Sequence, residues 1–191
     1  MELLECTLSV DDLDGFVADI GAIGDRHGVT IQAFDARYVA DPSPLERAVE
    51  LADRAIARGT NVARDRAVEI LLYAAGRRQI DRALEMGLSE GETRAVVLVD
   101  TGSTGNEGGR EAEDDGEIDA VDGEEPDADE TAALEELAEL DAVVEREPTL
   151  ESRNEETLCA FFDVTDAERG ATDAPLGTLV RERVALLEVE K

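Results

Sequence analysis

The chain is poor in several of the residues that most catalytic and metal sites use. Its 191 residues include one histidine, two cysteines and a single lysine, Lys191. With only His27 available, a histidine dyad or a His-based metal cluster cannot be assembled. Cys6 and Cys159 lie in apolar runs without CxxC or zinc spacing, so they read as buried thiols. No apolar run approaches the ~18 residues of a membrane helix. Met1 to Glu5 lacks the basic start and apolar block of a signal peptide, so the expectation is a cytoplasmic protein without a membrane partner. No G-x-S-x-G motif, zinc set or P-loop occurs. Positive charge is scarce too: 48 acidic residues against 18 basic ones give a formal net charge of −30. Acid excess with arginine in place of lysine suits molar salt, where a Debye length of roughly 3 Å screens like-charge repulsion.

The apolar residues that are present, 42% of the chain, are periodic rather than sparse and suffice for one compact domain over 1–191. Leu3 to Leu8, Val29 to Phe34 and Arg94 to Asp100 read as strands. Leu13 to Ile23 has helical spacing. Ser43-Pro44-Leu45-Glu46 reads as a capping box opening a helix that buries Leu45, Ala48, Val49, Ala52 and Ile56 and closes at Gly59. Helices follow over Arg64 to Ala75 and Arg78 to Met86, then over Thr131 to Glu145. Capping boxes at Ser152 and Thr165 precede two more, and a last helix starts near Pro175. Few strands and many helices predict an α+β domain, a small, mostly antiparallel sheet flanked by several helices. Thr101 to Glu130 interrupts this pattern with 13 acidic residues, 6 glycines and one arginine, and reads as a disordered acidic insertion.

Asp53 to Arg82 runs against the overall charge, with seven arginines and four acids. Such an island in an acidic chain suggests an anionic partner. At 100° per residue, Val68, Leu71, Leu72 and Ala75 share one helix face, and Arg66, Ile70, Tyr73 and Arg77 share the opposite one. The second face offers a ring for base stacking and guanidiniums for phosphates. The alternative is a central helix buried on both faces, with its arginines in salt bridges. Gly76 can also break the helix and leave Arg77, Arg78 and Gln79 at the start of the next one.

Gly59-Thr60-Asn61-Val62, then Glu69-Ile70-Leu71-Leu72-Tyr73-Ala74-Ala75-Gly76-Arg77-Arg78-Gln79-Ile80, resembles the signature of the KEOPS small regulatory subunit family, the p53-related-kinase-binding proteins. Leu179 to Val189 resembles that family's closing L-V-x-E-R-V-A-L-L-x-V. The resemblance covers Glu2 to Asp100 and Glu130 onward. It implies a non-catalytic subunit, without a cofactor, of the complex that places threonylcarbamoyl on tRNA adenosine. It also implies binding to the small kinase/ATPase subunit, indirect association with the other KEOPS subunits, and capture of the tRNA 3′ CCA end. Asn61, Tyr73, Arg77, Arg78 and Gln79 are then the expected RNA contacts, and Ile70 and Leu84 the expected kinase anchors. A pure kinase adaptor without RNA binding is the alternative.

Overall fold

Strand propensity and double-sided burial set the centre of the fold. In the computed structural model, which describes residues 1–102, 129–152 and 154–189, the run Ala-Val-Val-Leu-Val lies in β3 (Gly91–Asp100). Both faces of this strand are covered. Val96 and Leu98 point into one apolar core, and Ala95, Val97 and Val99 into another, which is why the run is continuous rather than alternating. β1 (Glu2–Val10) and β2 (Thr30–Asp35) flank β3, both antiparallel, with Glu2 opposite Val99 and Thr30 opposite Asp100. β4 (Val143–Arg146) pairs with the far side of β1, giving the order β2-β3-β1-β4. The sheet is therefore small and antiparallel, as expected.

Helices cover the two faces. On one side lie α1 (Leu13–His27) and α5 (Glu130–Ala138), packed through Phe16, Ile20, Ile23, Ala133 and Leu137. On the other lie α2 (Pro42–Ala57), α3 (Arg66–Ala74), α6 (Glu155–Phe162) and α8 (Leu176–Val189). The short α4 (Ile80–Ala83) continues as a single 3-10 turn to Met86, and α7 (Asp166–Ala171) links α6 to α8. Burial pushes the Cys6 thiol up to about 11, whereas Cys159 is only half-buried.

Local chemistry moved several boundaries. α2 starts two residues earlier than expected: Asp41, not Ser43, caps it by accepting from Ser43 N at 2.9 Å, and Pro42 takes the first turn. Ile56 faces outward on this helix at 38% exposure. Asn154, not Ser152, caps α6, accepting from Thr157 N. The capping box of Thr165 and Glu168 forms as read. The helix expected to reach Glu145 stops at Ala138, because β-branched Val143 and Val144 join the sheet edge instead. His27 closes α1, and its Nε2 lies 2.7 Å from Glu136 Oε2. The acidic insertion falls mostly on residues 103–128, outside the described residues. Glu130 at its end opens α5 and accepts from Thr101 N at 3.0 Å.

Candidate functional site

Two glycine turns frame the motif-bearing helix α3. After α2, Gly59 adopts φ +64°, and Gly59 N and Thr60 N donate to Ile56 O and Ala55 O. After α3, Gly76 adopts φ +60°, and Gly76 N and Arg77 N donate to Tyr73 O and Leu72 O. Both are Schellman ends, in which a left-handed residue lets the chain satisfy the last carbonyls and leave the helix axis. The Gly76 turn packs on α8: a Cβ there would lie 3.4 Å from Arg183 O, in van der Waals contact.

The loop into α3 is held by a residue that the motif reading left without a role. Glu69 is 1% exposed, and its Oε2 accepts from Val62 N at 3.0 Å and from Ala63 N at 2.8 Å. Asn61 completes the loop by donating from Nδ2 to Ala63 O at 2.7 Å. It does not cap α3; Asp65 does, accepting from Val68 N. Arg66 bridges Asp53 and Asp100. Burial alone would lower its pKa, but the hydrogen bonds and charges of the two carboxylates outweigh this and raise it.

α3 is buried from Glu69 to Ala74. Ile70 is 0% exposed and Tyr73 1%, so the face expected to carry a kinase anchor and a stacking ring lies in the core. The cause is position: α2, α8 and β2 all pack on this one helix and cover Ile70 and Tyr73. Ile70 and Tyr73 are corrected accordingly from surface anchors to core residues. Asn61 is also separated from Arg77, Arg78 and Gln79, because these lie at opposite ends of α3, roughly 13 Å apart at 1.5 Å per residue.

The Gly76 turn does bring Arg77, Arg78 and Gln79 to one rim. Arg77 Nη2 pairs with Asp163 Oδ2 at 2.9 Å and donates to Phe161 O, and its guanidinium lies 5.8 Å from the Phe161 ring centre. Arg78 keeps Nε and Nη2 buried without a hydrogen-bond partner, a costly state for a guanidinium. Gln79 is exposed and precedes α4. Arg77, Gln79, Arg82 and Phe161 line a cavity of about 280 Å³. Next to it, Tyr38, Glu85, Glu156 and Phe161 line another of about 430 Å³. The Tyr38 and Phe161 rings meet at 4.7 Å, tilted by 47°.

A second feature is apolar. Phe16 and Val17 of α1, the edge strand β2, Val68 and Leu71 of α3, and Leu84 enclose a groove of about 300 Å³. Val17 and Leu84 stand at its rim, each 54% exposed. Among the described residues no group of His, Cys, Asp and Glu is arranged to hold a metal ion, and no helix is long and apolar enough to cross a membrane.

The chain matches the family model of kinase binding protein CGI-121 over residues 20–187. It belongs to that family. The matched span runs from within α1 to within α8, so it takes in the Glu69-anchored loop and the Gly76 turn, whereas Leu13, Phe16 and Val17 of the apolar groove lie before it. No curated protein matches the chain. Membership agrees with the KEOPS subunit signature at Glu69 to Ile80. That signature mixes two kinds of residue in this CGI-121 protein: Glu69, Ile70, Leu72 and Tyr73 build the core, whereas Arg77 to Gln79 reach the surface. Tyr38 and Phe161 lie far from the signature in sequence. Their one legible signal is scarcity, since the chain has only six aromatic residues.

Proposed function

We propose that this protein is a non-catalytic KEOPS adaptor, acting in the cytoplasm, that binds the small kinase/ATPase subunit. The observation that carries this reading is the kinase-binding family match across 20–187. The α1/α3 groove supports a location for the contact. Val17 and Leu84 are large apolar side chains held open to solvent, and such anchors keep their strength in molar salt, where ion pairs are screened. β2 is the sheet edge at the groove floor, which adds backbone groups that a partner can pair with. Leu84→Asp combined with Val17→Asp is expected to abolish co-purification of the kinase subunit while the circular dichroism spectrum is unchanged. Undiminished co-purification removes the groove from the interface.

The finer reading is that the same subunit recruits tRNA by its 3′ CCA end, at Arg77, Arg78 and Gln79. What favours it is Arg78, whose buried guanidinium nitrogens lack a partner in the free protein. Arg77 is engaged with Asp163 and Phe161, so Arg78 is the better phosphate ligand. Arg78→Ala is expected to weaken binding of intact tRNA by about 1.5–3 kcal/mol, the range for a hydrogen bond to a charged group. It should also erase the preference over tRNA trimmed of its CCA end. A parent protein that binds neither RNA identifies a pure kinase adaptor.

A further inference from the structure

The outer edge of β2 carries backbone groups that the sheet leaves unpaired, and parity along the strands identifies them. Glu5 O and Ser9 N bond away from β3, to Glu147 N and Ala142 O, so the odd residues of β1 face β4 and the even ones face β3. The register then turns Ala95, Val97 and Val99 toward β1, and Val96, Leu98 and Asp100 toward β2. Thr30, Gln32 and Phe34 answer these, which leaves Ile31 and Ala33 facing the free edge. The Gln32 side chain agrees: its Nε2 donates at 2.9 Å to Ala33 O, a carbonyl shielded from it had it pointed between two strands. Ile31 and Ala33 are only 7% and 4% exposed. Their edge groups look into the apolar groove between α1 and α3 rather than into open water, where an unpaired N–H or C=O is costly.

The walls of this groove stand on opposite faces of the sheet. Phe16 and Ile20 of α1 belong to one core, and Leu71 of α3, with Val68 packed against it, to the other. A strand sends alternate side chains to opposite faces and fills both walls at once. A helix presents one apolar stripe and leaves the edge groups unpaired. Charge narrows the occupant further. Asp65 is the one charged residue lining the groove, and Asp14 is exposed on α1 a turn before Val17. A basic flank is complementary to this rim, and an acidic one is repelled. We propose that the kinase subunit inserts an extended segment, apolar on both faces and flanked by lysine or arginine, that pairs with Ile31 and Ala33 as an added strand beside β2 and displaces the Gln32 amide from Ala33 O. This inference rests on the groove being the kinase contact and specifies how that contact is made. Strand addition takes its affinity from main-chain hydrogen bonds and its specificity from the pockets for alternate side chains.

The test is amide hydrogen exchange, resolved by residue, on the full chain free and in complex with its kinase subunit. Exchange at the Ile31 and Ala33 amides is expected to slow about 10-fold or more on binding. The kinase peptide that gains protection in the same experiment should be an apolar run with a basic flank. Gln32→Ala removes the competing amide and should tighten the complex several-fold. Unchanged exchange at Ile31 and Ala33, in a complex that Val17→Asp with Leu84→Asp still abolishes, overturns strand addition and leaves the groove as the kinase contact. A complex that survives those two substitutions overturns the groove reading and strand addition with it. Protection on the kinase side confined to a helix also overturns the added strand, and a Gln32→Ala variant that binds no tighter overturns the displacement at Ala33 O.

Discussion

Glu69 offers a direct measure of how the motif shapes the surface. It is an acid at 1% exposure whose one oxygen holds two backbone N–H groups of the loop after α2. Replacing it with alanine leaves the Ala63 amide buried without an acceptor and strands the partly buried Val62 amide. Hydrogen bonds to charged groups contribute about 1.5–3 kcal/mol each, and the exposed loop can recover part of that by admitting water. The expected loss for Glu69→Ala is therefore about 3 kcal/mol. For a chain of this size, one kcal/mol moves the midpoint by about 2–4 °C, so Tm should fall by roughly 6–12 °C. Glu69→Gln keeps the shape and one acceptor oxygen but loses the charge, and should cost only about 1 kcal/mol. Thermal unfolding followed by circular dichroism measures both variants. Amide exchange at Val62 and Ala63 should accelerate in the alanine variant before any global change. An alanine variant within 1 kcal/mol of wild type, or protected amides at Val62 and Ala63, would refute the role assigned to Glu69.

The two glycine turns and one surface acid give further tests. Gly59→Ala meets no atom within 4 Å and Gly76→Ala meets Arg183 O only at van der Waals distance, so each should show the left-handed backbone penalty of about 1 kcal/mol by thermal melting; no loss at either would contradict the two left-handed turns. Glu168 is held down to about 2, first by the Thr165 backbone N–H and then by Arg183. A depressed carboxyl stabilises the fold fully above its ordinary value of 4.5 and loses that contribution as pH falls toward 2. The Tm gap between wild type and Glu168→Gln should thus be constant near neutrality and close below about pH 4.5; a gap unchanged down to pH 2 contradicts the assignment.

Much of the fold is legible in the sequence because it follows from local rules. The apolar run of β3, the proline-led start of α2 and the reciprocal Thr165–Glu168 cap each need only neighbouring residues to be understood. β4 was not legible, since Leu134 to Val144 has acceptable helical spacing until β1 offers Cys6 to Leu8 as an edge to pair with. Pairing at a distance overrides propensity there. The α3 error has the same origin. Periodicity predicts one apolar stripe, but Ile70 and Tyr73 fill a second, and only the packing of α2 and α8 around the helix reveals it. Leu84, unlike Ile70, is open to solvent at 54% exposure, because α4 ends at Ala83 and a single 3-10 turn carries Leu84 outward.

The basic island changes meaning once the chain is folded. Counted along the sequence, Asp53 to Arg82 carries three more arginines than acids. In the fold, Arg54 and Arg58 share Glu188, Arg66 also takes Asp100, and Arg77 takes Asp163. With Arg82 on Glu85, four carboxylates from outside the window take up its arginines. What sequence alone suggests is an anion-attracting patch is, in space, largely the inner half of a set of ion pairs between α2, α3 and the C-terminal helices. Long-range attraction for a polyanion is therefore weak, and the affinity of any RNA for this surface should depend little on salt. A steep fall of log affinity with log salt, near −0.7 per phosphate for several phosphates, would mean that these pairs open to the ligand. A shallow slope would mean that contacts other than phosphate neutralisation carry the affinity. Salt dependence, rather than affinity at one condition, is what distinguishes a charge-driven interface from a stacking one in this acidic chain.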